Sequence, residues 1–160
     1  MVRPKISHSI QTGSFKTNYH DLGDGDPLIL VHGSGPGVSA WANWRLVMPE
    51  LSKQRRVLAL DYVGFGYTEK PENIQYGLKT WVQQTIDFMD ALNVRKADFV
   101  GNSFGGALAL AMAVLYPERV RKVVLMGAMG VDFPITQGLS EVWGYQPSIE
   151  NMKKLLTLFV

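Results

Sequence analysis

The sequence has no cysteine, which excludes disulfides, thiolate metal sites and thiol nucleophiles. A reducing compartment tolerates that lack, and a cytoplasmic location is the expectation. No histidine follows position 32; the three present are His8, His20 and His32. Neither sign of charge dominates: 16 lysines and arginines stand against 14 aspartates and glutamates, a net charge of +2. Basic runs are no longer than pairs such as Arg55-Arg56 and Lys153-Lys154, so nothing points to nucleic acid. Apolar runs stay well short of membrane-spanning length; the one at 107–115 ends at Tyr116-Pro117. Met1 to Gln11 lacks the apolar centre of a secretion signal. Internal repeats and low-complexity segments are missing too. What remains is 160 residues of ordinary globular composition, enough for one domain with its own core.

That chain is organised around Phe99-Val100-Gly101-Asn102-Ser103-Phe104-Gly105-Gly106. The apolar run from Ala97 leads in and the small, apolar run from Ala107 to Leu115 leads out. The pattern predicts a buried strand, a tight turn and a buried helix, with Gly101-x-Ser103-x-Gly105 at the bend. A serine on such a turn sits in strained backbone with its hydroxyl exposed. Flanking side chains would clash with the strand and helix, which accounts for the glycines. The helix points its free N–H groups and its dipole at the serine. Ser103 is therefore the candidate nucleophile.

Taken in order, Phe15 to Leu22 reads as a strand and residues 23–27 as a turn. Leu28 to Val31 is a continuous apolar run, typical of a strand buried on both faces. It runs into His32-Gly33-Ser34-Gly35-Pro36-Gly37. This loop lacks the spacing of a dinucleotide fingerprint and the Lys-Ser/Thr pair of a P-loop. Two readings stay open: a flexible turn, or an oxyanion loop. In the second, the backbone N–H groups of Ser34 and Phe104 face the developing negative charge. His32, at the strand end, reads as structural; His8 and His20 are expected on the surface.

Residues 41–51 read as one helix with Pro49 in a weak end, and Arg56 to Leu60 as another strand. Asp61 then stands at the head of a glycine-containing turn; it could be taken for a catalytic acid, but the reading preferred is that it and the glycines fix a sharp turn off the strand end. Leu78, Trp81, Val82, Ile86, Phe88, Met89 and Leu92 form a helical stripe that Asn93 ends. Val123 to Met126 is the next strand, 127–144 reads as loop, and Ser148 caps a final helix with Glu150 in its first turn. The apolar face of that helix is Met152, Leu155, Leu156 and Phe159. Strands alternating with helices predict a mostly parallel sheet with helices on both faces.

With these segments in hand, the chain resembles the α/β-hydrolases, and within them the meta-cleavage product hydrolases of bacterial aromatic degradation. The resemblance runs from about Tyr19 onward. It rests on the loop at 32–37, Ala40-Trp41-Ala42-Asn43-Trp44, residues 61–68, residues 101–106, and Val142-Trp143-Gly144-Tyr145 through Asn151. It implies an α/β-hydrolase core over 1–134 and the start of a helical lid over 135–160. It further implies hydrolysis of a carbon–carbon bond in a 2-hydroxy-6-oxohexa-2,4-dienoate, a small-molecule substrate, with no metal or organic cofactor. Carried over residue by residue, Ser103 is the nucleophile, Ser34 and Phe104 are the oxyanion donors, and Gly33, Gly35, Asn43 and Asn102 are substrate-binding positions. Bracing the turn is the alternative role for Asn102, and capping the helix around Trp44 the alternative for Asn43. A carboxylesterase and a non-catalytic binding domain are the competing functions.

The pattern also breaks. Serine hydrolases of this fold follow the order serine, acid, histidine, yet no histidine follows Ser103. Asp132 comes after the nucleophile, but it follows the sixth strand and not the next one. The expectation is a chain cut after the sixth strand and the start of the lid, with little or no activity alone. A bare apolar edge at Val123 to Met126 is expected to favour self-association or a partner.

Overall fold

The computed structural model describes residues 8–158, so Phe159 lies outside the described residues. The chain divides into two compact units, Met1–Gly130 and Val131–Val160. The first holds a six-stranded sheet in the order β1-β2-β4-β3-β5-β6. Its strands are β1 (His8–Thr12), β2 (Phe15–Leu22), β3 (Pro27–Val31), β4 (Arg56–Leu60), β5 (Ala97–Asn102) and β6 (Val120–Met126). β3 runs parallel to β4 and β5, and β5 to β6. Among the described residues only β1 and β2 bring antiparallel pairings, β1 with β2 and β2 with β4.

The apolar runs are continuous because both faces are covered. Ile29, Val31, Leu58, Leu60 and Phe99 pack with Val82, Phe88 and Met89 of α3 (Leu78–Ala91) and Leu108 and Met112 of α4 (Phe104–Leu115). The alternate residues Leu28, Leu30, Val57 and Ala59 pack with Ala40 and Trp44 of α1 (Ala40–Trp44) and Met48 of α2 (Met48–Leu51). α3 stops where Asn93 takes a left-handed φ of 55°, a conformation asparagine tolerates at a helix end.

The chain passes from β3 to β4 on one side and then crosses β3 to reach β5 on the other. Neighbouring strands whose connections leave in opposite directions open a crevice at their carboxyl ends. Here the loop 32–37 follows β3, and Ser103 follows β5.

Several expectations are corrected. Residues 41–51 are two short helices rather than one. Pro49 sits in the first turn of α2, where its missing N–H costs nothing, and it cannot continue a helix from α1. β6 starts at Val120, three residues before its apolar run, because the exposed Arg121 and Lys122 belong to a sheet-edge strand. β1 escapes a hydrophobicity reading because it is polar and mostly exposed at the opposite edge. His20 is buried, at 2 % exposure, not on the surface; its ring lies 5.4 Å from that of Trp41. His8 is exposed as expected.

In the second unit, α5 (Gln137–Trp143) replaces the expected loop, its amino end capped by the Thr136 hydroxyl. α6 (Ile149–Leu156) is capped by the Ser148 hydroxyl, which accepts from Asn151 N–H at 3.0 Å. Among the described residues no helix is long and apolar enough to cross a membrane.

Candidate active site

The turn after β5 is built around close backbone approaches. A Cβ on Gly101 would overlap the Gly105 carbonyl, one on Gly105 would overlap the carbonyls of Val31 and His32, and one on Gly106 would overlap Ala128. Ser103 adopts φ 54° and ψ −117°, which few non-glycine residues accept. Its N–H donates to the Met126 carbonyl at 2.9 Å, and its carbonyl accepts from Gly106 at 2.9 Å and Met129 at 3.1 Å. The side chain is half-buried at the amino end of α4. Held strain of this kind costs about 1–3 kcal/mol. Ser103→Gly is therefore expected to stabilise the chain by about 1 kcal/mol once glycine's larger unfolded-state entropy is deducted. Thermal denaturation checks this, and a lowered midpoint contradicts it.

The glycine loop lies against this turn. A Cβ at Gly33 would sit 3.6 Å from Ser103 Cβ and 3.3 Å from Asn102 Nδ2. Asn43, on α1, joins the two: its Oδ1 accepts from Gly33 N–H at 2.9 Å and from Asn102 Nδ2 at 3.0 Å. Both asparagines thus brace loop against elbow. Among the described residues, neither the Ser34 nor the Phe104 N–H donates to a protein acceptor. Phe104 is fixed by its ring, which packs edge-on against Trp81 at 4.7 Å and lies 6.0 Å from Phe65. Gly35 has open space around it and a φ of 139°.

His32 and Asp61 are both fully buried and both structural. The Asp61 carboxylate accepts from Ala40 N–H at 2.6 Å, Tyr67 N–H at 2.8 Å and Asn18 Nδ2 at 2.9 Å. That settles the turn-fixing role over the catalytic one. His32 Nδ1 lies 2.6 Å from the Gly33 carbonyl, and Nε2 lies 3.1 Å from the Tyr62 N–H. A carbonyl can only accept and an N–H can only donate, so the proton is on Nδ1. Neither ring nitrogen is left to act as a base on Ser103.

Burial pushes both buried imidazoles below the ordinary histidine pKa. The Asp61 charge opposes this at both, the Gly33 carbonyl opposes it at His32, and His8 adds to it at His20. Burial favours the neutral form of both rings in the fold, so the unfolded chain takes up protons first as the pH falls. Their contribution is complete above about pH 6.5 and is lost below it as the pH falls toward the folded values. The slope is at most about 1.4 kcal/mol per pH unit for each histidine. Urea midpoints should fall between about pH 7 and pH 5.5; a flat profile contradicts the assignment.

A nucleophile elbow at the switch point of a mostly parallel sheet, faced by a glycine loop from the neighbouring strand, is an α/β-hydrolase arrangement. The chain belongs to the family described as the alpha/beta hydrolase fold, whose model matches residues 26–148. It is 56 % identical over 158 residues to a 2-hydroxy-6-oxo-2,4-heptadienoate hydrolase of Pseudomonas putida, covering 99 % of this chain and 57 % of that protein. It is 57 % identical over 156 residues to a 2-hydroxymuconate semialdehyde hydrolase of a Pseudomonas species, covering 98 % of this chain and 55 % of that protein. A solved structure, the S103A mutant of the meta-cleavage product hydrolase CumD from Pseudomonas fluorescens complexed with acetates, superposes with a TM-score of 0.84. It shares 58 % identity and covers 97 % of this chain and 57 % of that one. The chain thus spans a little over half the length of the relatives it matches.

Proposed function

We propose that this chain supplies the nucleophile and the oxyanion-binding part of a serine-dependent hydrolase that cleaves a carbon–carbon bond in 2-hydroxy-6-oxohexa-2,4-dienoate-type meta-cleavage products. The observation that carries the proposal is the seating of Gly33 beside Ser103, in a chain 56 % identical to a dienoate hydrolase. In this reading the dienol shifts to its keto tautomer, which creates an electron sink. Ser103, or a water activated beside it, attacks the distal carbonyl. The Ser34 and Phe104 N–H groups hold the oxyanion. The carbon–carbon bond then breaks, its electron pair passing into the keto sink to give a 2-hydroxypentadienoate; the other fragment leaves as a carboxylic acid directly when water has attacked, or after a water hydrolyses the acyl-serine ester when Ser103 has attacked. Gly33, Gly35 and Asn102 border the substrate, while Asn43 sets the spacing of loop and elbow.

Neither His32, committed at both nitrogens, nor Asp61, which accepts from three donors, is free to serve Ser103 as base or acid. A serine without a base is a weak nucleophile. The isolated 160-residue chain is therefore expected to show no turnover of a chromogenic dienoate or a p-nitrophenyl ester. Turnover that disappears in Ser103→Ala contradicts this. A preference for the ester over the dienoate, once base and acid are supplied, favours a carboxylesterase instead.

A further inference from the structure

The loop that faces Ser103 is clamped at one peptide from inside the fold. The Gly33 carbonyl accepts from His32 Nδ1 at 2.6 Å. That carbonyl belongs to the Gly33–Ser34 peptide, whose other polar group is the Ser34 N–H. A trans peptide is planar, with C=O and N–H pointing in opposite directions, and the chain has no cis bond among the described residues. Pinning the carbonyl to a buried ring therefore turns the Ser34 N–H outward. The preceding peptide is pinned as well, because the Gly33 N–H donates to Asn43. The ring itself cannot rotate freely. Its Nε2 takes the Tyr62 N–H, and its faces and edges meet Tyr62 at 5.4 Å and Phe65 at 5.3 Å between centroids.

We infer that His32 is a positioning residue: its Nδ1–H bond to the Gly33 carbonyl aims the Ser34 N–H as an oxyanion donor and strengthens that donor. The strengthening follows because a hydrogen bond to a peptide carbonyl polarises the N–H of the same peptide. This role rests on the reading of Ser34 as an oxyanion donor given above. It differs from a general structural one in being specific to a single ring nitrogen. The Nε2 contact to Tyr62 serves the ring; the Nδ1 contact serves the site.

The two nitrogens can be separated by substitution. An asparagine side chain places an N–H near the Nδ1 position, whereas a glutamine places its amide near Nε2. The test is a titration of the 160-residue chain with acetate, whose carboxylate oxygen stands in for the oxyanion, followed through the backbone amide resonances. In the unsubstituted chain, acetate should move the Ser34 and Phe104 amides. His32→Asn should keep the Ser34 response. His32→Gln should lose it while the Phe104 response persists. Equal behaviour of the two variants overturns the proposal and leaves the oxyanion reading standing. No response at either amide in the unsubstituted chain overturns both. Nitrogen-15 spectra of the unsubstituted imidazole provide a check that needs no variant to fold: a proton on Nδ1 supports the proposal, and a proton on Nε2 overturns it.

Discussion

Asp61→Ala is expected to lower the unfolding free energy by about 3–6 kcal/mol, through the loss of a carboxylate acceptor that serves three donors. Asp61 is fully buried at the end of β4. Without it, the N–H of Ala40, the N–H of Tyr67 and the Asn18 side-chain amide lose their acceptor. A buried donor that loses its acceptor costs about 1–3 kcal/mol, which applies to Ala40 and Asn18; the half-buried Tyr67 adds less. Asp61→Asn separates the contributions. Its single oxygen can replace Oδ2, which serves Asn18 and Tyr67, but its NH2 then faces the Ala40 N–H. The stability order should be Asp, then Asn, then Ala, read from urea midpoints at neutral pH. The consequence reaches the site. Ala40 opens α1, α1 carries Asn43, and Asn43 holds Gly33 against the elbow. An Asp61→Ala chain within about 1 kcal/mol of the parent contradicts this account.

Gly105→Ala should be comparably severe for a different reason. The added methyl would overlap two main-chain carbonyls of the central strand region, Val31 and His32. A side chain in that place could rotate aside, but these carbonyls belong to β3 and to the start of the glycine loop. Either α4 lifts from the sheet or the loop moves. The expected cost is at least about 3 kcal/mol, beyond ordinary overpacking. Gly138→Ala provides the contrast. That position has open space around it in the first turn of α5, and alanine there should be neutral or stabilising by up to about 1 kcal/mol. Thermal midpoints of the two variants check the pair. A mild Gly105→Ala would mean that helix and strand are not in the contact described.

Much of this was legible in the residues because the informative features are local. Leu28 to Val31 and Arg56 to Leu60 read as strands covered on both faces, and both faces are covered. The bend at Ser103 was legible because three glycines at fixed offsets have only one steric explanation. Asn93 and Ser148 gave their helix boundaries through chemistry that acts within a few residues.

What stayed hidden depends on long-range partners. The Asn43 brace joins residues 59 apart in sequence, and no local pattern announces it. His20 reads as a surface residue in a strand with polar neighbours, until Trp41 covers it. Asp61 reads as the residue that fixes its turn, which its three donors bear out, but which donors they are is not written near it in the sequence. α5 is only seven residues long, so the helical spacing of Leu139, Val142 and Trp143 spans barely one turn and reads as scattered apolar residues; Thr136 at its start is the other signal.

In the proposed function the chemistry depends on the Ser103 hydroxyl, as the attacking group or as the group beside which the attacking water is activated. The most direct measurement is turnover of 2-hydroxymuconate semialdehyde by a fusion in which this chain is continued by the remaining segment of the Pseudomonas 2-hydroxymuconate semialdehyde hydrolase. The fusion should hydrolyse the dienoate, and Ser103→Ala within it should lower kcat at least about a thousandfold with the fold intact. A folded fusion whose turnover survives that substitution would show that the elbow at 103 is not where the chemistry starts.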